Sequence, residues 1–201
     1  MELYHGTTTN ITDEFLKPHK PFETYDYNPI ICFADKKALA LLYTTNPIRA
    51  YFKNQNIAGR ANAFSDYFRF CEKENKVVVC ECYVGMLEEV YNISAYLYTF
   101  EYDGAINKES SIGYEFNQPI KYDKKIFIPN VLSELLELEK LNIVKIIRFN
   151  DLDFNTKSLL YDNVAHRANA CENQGEVEFF KEKFKGINSV LKYLHLNTIP
   201  Q

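Results

Sequence analysis

The sequence predicts a mixed α+β domain that ends in a helical appendage. The 201-residue chain is 46% hydrophobic and 25% charged, a composition that supports one globular core without disulfides. Short apolar and β-branched stretches alternate with helical patterns up to residue 150, whereas two long helical patterns follow residue 151. We therefore expect a body over residues 1–150 and a helical appendage over 151–201, packed on the same domain.

Seven stretches have the β-branched, aromatic or apolar composition of strands. They are 3–5, 30–34, 77–84, 95–102, 112–116, 120–128 and 143–149. Gly6 is expected to interrupt the first strand, and a polar loop with three prolines follows over residues 17–29. The stretch 77–84 is rich in valine and cysteine, which is typical of a central strand.

Five stretches repeat apolar residues at three- and four-residue intervals, as amphipathic helices do. Asp35 is placed to cap the first helix, and Pro47 is expected to close it. Pro129 with Asn130 marks the start of a later helix. This later helix is predicted to run to residue 141. The remaining helices are predicted over 60–71, 156–171 and 176–196.

Charge and composition exclude several classes of function. The chain has 23 basic and 27 acidic residues, so a polyanion binder held by a diffuse basic surface is not expected. Only 7 glycines occur, and neither of the common glycine-rich phosphate motifs is present. Five scattered cysteines indicate a reducing compartment. With no leader-like segment and no long apolar run, the sequence predicts a cytoplasmic protein with no membrane partner.

The tripeptide His5-Gly6-Thr7 is the first candidate for chemistry. It ends a short strand, where an imidazole and open backbone amides emerge together. The alternative is a histidine that is satisfied within a half-buried strand.

Three segments, taken in order, resemble the ADP-ribosyltransferase superfamily. They are His5-Gly6-Thr7, the run Ile31 to Asp35 followed by Tyr43, and Tyr114-Glu115-Phe116. The likeness is to the poly(ADP-ribose)polymerase-like branch, which is named for a His-Tyr-Glu triad, and it covers about the first 150 residues. It implies a split β-sandwich, two small sheets around a cleft with flanking helices, and NAD as the substrate.

The resemblance also implies roles for individual residues. Glu115 would stabilise the oxocarbenium-like state formed when the nicotinamide–ribose bond breaks, and His5 would hold the other ribose of NAD. Tyr43 would stack on the nicotinamide ring. The expected NAD-binding residues are His5, Gly6, Thr7, Phe33 and Tyr43. The alternatives are a solvent-facing strand carboxylate for Glu115 and a core aromatic residue for Tyr43.

The chain departs from the family pattern at three positions. Cys32 stands where the triad tyrosine is usual, Ala40 stands where a serine is common, and Gly113 replaces the first acidic or amide residue of a related signature. These changes leave two alternatives to an active transferase. One is a binding module that takes NAD or another ligand without turnover. The other is an RNA 2'-phosphotransferase-like enzyme, which would need clustered Arg and His residues.

The partners expected from the sequence are NAD and a macromolecular acceptor, either a protein or a single-stranded nucleic acid. Tyr25 and Tyr27 could offer stacking faces to the latter. A role as a toxin or defence effector and control by an antitoxin or regulator stay open. No metal is expected, because Cys80-x-Cys82 has no second ligand pair. A nucleophilic pair of Cys32 with His5 lacks a third, orienting group.

Overall fold

The structure is a computed structural model that describes residues 1–19, 29–59, 61–62, 64–103, 113–187 and 190. Its strands and helices show a mixed α+β fold, as the sequence predicts. In chain order the elements are β1 (Glu2–Thr7), β2 (Phe15–Leu16), β3 (Ile31–Phe33), α1 (Lys37–Leu42), α2 (Pro47–Asn54), β4 (Phe68–Cys71), β5 (Lys76–Cys80), α3 (Met86–Tyr91), β6 (Ala95–Glu101), β7 (Tyr114–Phe116), β8 (Ile120–Lys121), β9 (Lys124–Ile128), α4 (Val131–Lys140), β10 (Val144–Ile147), α5 (Phe154–Asn169) and α6 (Gln174–Lys183).

The chain forms two compact units, each built from two segments. Unit 1 comprises Met1–Thr45 and Asn92–Leu135, and unit 2 comprises Asn46–Tyr91 and Leu136–Gln201. The units interleave along the chain, whereas the sequence predicts a body over 1–150 and an appendage over 151–201. Helices α5 and α6 belong to the same unit as β4, β5 and β10.

The described residues of unit 1 form three antiparallel sheets. Their orders are β1-β6-β9, β2-β8 and β3-β7. Two backbone hydrogen bonds of 2.8 Å between Tyr4 and Ala34 also join β1 to the residue that follows β3. Because side chains alternate along a strand, Leu3 and His5 share one face of β1, and Gly6 lies on the other. The site residues of β1 and β3 are therefore held next to each other.

The core of unit 1 lies on the Leu3 face of β1. Its buried members come from β1, β2, β3, β6, β7 and β8, and they are Leu3, Leu16, Ile31, Phe33, Tyr98, Tyr114 and Ile120. Ile31 and Phe33 point into this core, so Cys32 between them points away from it. The same alternation turns Glu115 outward while Tyr114 is buried.

Unit 2 is built on a three-stranded sheet in the order β10-β5-β4. Strands β10 and β5 are parallel, and β5 and β4 are antiparallel. A buried hydrogen bond of 2.5 Å joins the hydroxyls of Tyr67 and Tyr91. Rings from the end of this unit, Phe179, Phe180 and Phe184, pack on one another with centroids 5.0–6.1 Å apart. The core here is aromatic.

Glu81 is a buried and well hydrogen-bonded carboxylate of unit 2. It is 3% exposed and follows β5 directly. It accepts hydrogen bonds from the backbone N–H of Leu87 at 3.3 Å, from that of Phe149 at 3.1 Å and from Arg148 Nη1 at 3.0 Å. A buried charge needs such partners, so Glu81 ties α3 and the chain after β10 to the sheet.

The helix predicted from Pro129 and the helix predicted over 156–171 are confirmed. The helix predicted over 176–196 is found only up to Lys183, and residues 188–189 and 191–196 of it lie outside the described residues. The helix predictions before residue 129 are partly wrong. The predicted helix over 60–71 is wrong: Phe68–Cys71 is strand β4, and Phe64 and Tyr67 are buried ahead of it. Pro47 does not close a helix but begins α2, where the Asn46 side chain caps the Arg49 N–H at 3.1 Å. Asp35 does not cap α1, since its N-cap is Lys36, which makes no side-chain capping bond.

Other boundaries also differ from the prediction. Strand β1 continues through Gly6, which pairs with Leu97. The predicted strand 120–128 is divided into β8 and β9. Helix α6 ends at Lys183, and the following turn reaches Gly186 at φ +88°, a conformation that glycine adopts readily. No helix within the described ranges is both long enough and apolar enough to cross a membrane.

Candidate functional site

His5 is the centre of the candidate site in unit 1. Its ring lies 5.8 Å from the Phe33 ring and 6.4 Å from the Tyr98 ring, measured between centroids. Its Nδ1 lies 2.9 Å from the backbone carbonyl oxygen of Cys32. A carbonyl only accepts hydrogen bonds, so Nδ1 carries the proton and donates it.

The protonation state of His5 follows from its surroundings. Burial lowers the pKa of the imidazole and outweighs the Cys32 hydrogen bond, which raises it, and the nearby His19 lowers it further. The ring is therefore neutral at pH 7. With Nδ1 protonated, Nε2 presents a lone pair, so this side of the ring can accept a hydrogen bond from a hydroxyl group.

Cys32 and Glu115 are cross-strand partners. The register of β3 and β7 places them directly opposite each other, and both point away from the core. Although part of Cys32 is exposed, desolvation of its thiol and then the charge of Glu115 raise the thiol pKa to about 11. The thiol is therefore protonated at neutral pH. Glu115 itself is exposed to solvent.

Tyr43 lies at the end of α1 and extends this cluster. It is the C-cap residue of the helix and is half-buried. Burial and then the neighbouring Cys32 raise the pKa of its hydroxyl to about 12. The Tyr43 phenol is thus neutral, and it lies within electrostatic range of the same cysteine that His5 and Glu115 approach.

Gly6 and Thr7 have structural functions that the sequence did not reveal. A Cβ on Gly6 would lie 2.0 Å from the backbone oxygen of Ala40, so only glycine lets α1 approach β1 this closely. Ala40, which was compared with a family serine, is itself 2% exposed. The hydroxyl oxygen of Thr7 accepts a 3.1 Å hydrogen bond from the Thr9 N–H. It stabilises the turn after β1.

Phe33 belongs to the core rather than to the open surface. It is 2% exposed, and its ring lies 5.8 Å from that of Phe100 and 5.5 Å from that of Phe116. It therefore supports His5 from beneath. His5, Glu115 and Tyr43 each lie next to Cys32: His5 bonds its backbone carbonyl, whereas Glu115 and Tyr43 lie near its thiol. Gly6, Thr7 and Phe33 form the surrounding framework.

Two residues of the site were not selected from the sequence. In the sequence, Cys32 is a departure from a pattern and half of a nucleophilic pair that lacks a third group, yet three predicted site residues lie next to it. His19 was passed over as part of a polar loop, but its ring lies 6.5 Å from the His5 ring at 73°. The sequence pattern that could have indicated His19 is a second histidine before a strand. Without the fold, this pattern does not identify a site residue.

Three other sequence predictions concern the loop tyrosines, the arginines and metal binding. Tyr25 and Tyr27 lie outside the described residues. All five arginines fall within residues 46–91 and 136–201, so the two segments of unit 1 contain none. In the part of the chain that the structure describes, no group of three or more His, Cys, Asp or Glu side chains is placed to hold a metal ion.

Comparison of the chain with protein-family models, with curated proteins and with solved structures finds no match in any of the three. What the site can do must therefore be inferred from its own chemistry.

Proposed function

We propose that the protein is an NAD-dependent ADP-ribosyltransferase that transfers ADP-ribose to a macromolecular acceptor and releases nicotinamide. One observation supports this most directly: Cys32 connects His5, through the 2.9 Å hydrogen bond, to Glu115, its cross-strand partner. A neutral imidazole on β1 and an exposed carboxylate on β7 are thereby both held beside the same residue of β3. The sequence resemblance in order and spacing supports the same assignment, with the β3-β7 and β1-β6-β9 sheets as the halves of a split β-sandwich.

His5 would bind the ribose of the dinucleotide that does not carry nicotinamide. Its Nε2 lone pair accepts a hydrogen bond from a ribose hydroxyl, and the Cys32 carbonyl keeps the ring in the tautomer that this requires. The Phe33 ring beneath fixes the position of the imidazole. His5 therefore acts in binding and orienting the substrate.

Glu115 would stabilise the reacting carbon. When the nicotinamide–ribose bond breaks, its electron pair leaves with nicotinamide, and positive charge develops on the ribose. An adjacent carboxylate lowers the energy of that state. A nucleophilic atom of the acceptor then forms a bond to the ribose carbon and gives up its proton.

Tyr43 and Cys32 would complete the surroundings of the nicotinamide. The neutral Tyr43 ring can stack on it, which contributes about 1 kcal/mol beyond the buried area. Cys32 is protonated, and a thiol is a much weaker nucleophile than a thiolate. We therefore assign the transfer directly to the acceptor and not to a cysteine-bound intermediate.

A binding module without turnover is the second candidate. The observation in its favour is Cys32, whose short protonated side chain stands where the resemblance has a tyrosine. An RNA 2'-phosphotransferase-like enzyme has less support. It would need clustered cations for phosphate, and the segments of unit 1 hold no arginine.

The acceptor is best sought among proteins. The two segments of unit 1 contain 8 lysines against 12 acidic residues. This balance disfavours a polyanionic partner, although a short single strand stays within the proposal. A toxin or defence role in the cytoplasm, with an antitoxin or regulator as partner, is part of the same proposal.

The test is consumption of NAD, with release of nicotinamide, when the purified protein is added to a cell lysate. Glu115→Gln keeps the size of the side chain and removes its charge, so turnover should fall about 100- to 1000-fold, or 3–4 kcal/mol at the transition state. Glu101→Gln changes an exposed glutamate of β6 in the same way and should leave the rate unchanged. Wild-type turnover by Glu115→Gln would reject the assigned carboxylate. Binding of NAD without turnover by the wild type would favour the binding module.

A further inference from the structure

His19 is an exposed histidine beside His5 whose side chain has no assigned role. Its backbone is fixed by two hydrogen bonds to Ile30, of 3.1 and 3.0 Å, just before β3 begins. Its ring meets the His5 ring edge to face, with the centroids 6.5 Å apart. It thus projects from a fixed point next to the imidazole that would hold the ribose.

We propose that His19 is a second substrate-binding residue, which donates an imidazole N–H to the phosphate attached to the ribose at His5. This inference rests on the proposed function, because the ligand is the adenosine half of the same dinucleotide. The two histidines then have complementary tasks. His5 accepts from a sugar hydroxyl through Nε2, and His19 donates to an anionic oxygen.

The supply of cations in unit 1 supports this assignment. With no arginine in its segments, phosphate must be met by lysine, histidine or backbone groups. Four lysines already have side-chain or backbone acceptors; the pairs are Lys17–Asp13, Lys37–Glu134, Lys121–Glu14, and Lys125 with Asn10 and Ile11. Within the described ranges, the His19 ring makes no hydrogen bond, so its N–H is available to a ligand.

The position of His19 also matches the chemistry of a nucleotide. The 5'-phosphate is carried by the same sugar that His5 would hold, so its donor must lie within one sugar's reach of His5. A hydrogen bond to a charged phosphate oxygen is about twice as strong as one between neutral groups. If the edge-to-face contact between His19 and His5 served packing alone, a phosphate on the ligand would not increase its affinity.

The test uses two ligands that differ only by this phosphate, the mononucleotide adenosine 5'-monophosphate and the nucleoside adenosine. Their Kd values are measured by ligand-observed NMR for the full-length wild type, His19→Ala, His19→Lys and the control His166→Ala, which changes an exposed histidine of α5. We expect His19→Ala to weaken binding of the mononucleotide about tenfold and binding of the nucleoside less than twofold. His19→Lys should recover most of the lost affinity, and His166→Ala should resemble the wild type.

The outcomes separate the two proposals. If the wild type binds the mononucleotide and His19→Ala binds it equally well, or if both ligands weaken equally, the role of His19 is rejected and the proposed function stands. If the wild type binds neither ligand, the proposed function is rejected, and His19 with it.

Discussion

Glu81 in unit 2 and Glu115 in unit 1 are both glutamates at strands, and they are used in opposite ways. Glu81 is 3% exposed and accepts three hydrogen bonds from its own unit. Glu115 is exposed, and its cross-strand neighbour is the protonated thiol of Cys32. A carboxylate whose acceptor capacity is used by the protein stabilises the fold, whereas one left open to solvent retains that capacity for a ligand.

Replacement of Glu81 should give the largest effect, a loss of folding stability. Glu81→Ala leaves the N–H groups of Leu87 and Phe149 without their acceptor and removes one of the two carboxylates bound to Arg148, so the free energy of unfolding should fall by about 2–4 kcal/mol. Glu88→Ala removes the other carboxylate bound to Arg148, but its side chain is 53% exposed, so the loss should be under about 1 kcal/mol. Urea unfolding measures both. Equal losses would show that Glu81 contributes no more to the free energy of unfolding than an exposed ion pair does.

His5 predicts a pH dependence of stability. Its pKa is lowered in the folded protein, so the unfolded chain binds more protons between the folded pKa and the unfolded value of about 6.5. The free energy of unfolding should therefore fall as the pH drops below about 6.5, by at most about 1.4 kcal/mol per pH unit from this residue. Below the folded pKa the effect levels off.

The measurement is urea unfolding of the wild type and of His5→Gln at pH 7.5 and pH 5.5. Glutamine does not titrate, so the variant should lose less stability on acidification than the wild type. Parallel losses would mean that His5 is not desolvated as the structure places it.

The smallest effect tests whether Glu115 and Cys32 are neighbours. With a thiol pKa of about 11, labelling of Cys32 by iodoacetamide should be slow at pH 7.5 and should rise about tenfold per pH unit. Glu115→Gln removes a negative charge that raises this pKa, so labelling at a fixed pH should become a few-fold faster. Peptide mass spectrometry distinguishes Cys32 from the other four cysteines. If Glu115→Gln labels no faster than Glu101→Gln, the two side chains do not interact.

Local patterns were sufficient for the elements with strong periodicity or composition. The helix after Pro129, the helix near 156–171 and the strand from Ala95 are found close to their predicted bounds, because their apolar residues recur with one period over many positions. The predicted helix over 60–71 failed because Phe64, Tyr67 and Phe68 share helical spacing by coincidence. Phe64 and Tyr67 are buried and Phe68 is half-buried, through a turn and the pairing of β4 with β5, contacts that a local pattern does not contain.

The candidate site shows the same division. The sequence by itself determined which residue types were available, namely one histidine at a strand end, one glutamate between aromatic residues, and no arginine in the surrounding segments. Tertiary structure alone decided that β3 pairs with β7 in the register that sets Cys32 against Glu115, and that the Cys32 carbonyl meets His5. It also decided that His19 lies beside His5, and that Gly6 is required by α1 rather than by a ligand. The physical reason is that strand register, burial and the choice of tautomer arise from contacts between residues far apart in the chain, which no single segment specifies.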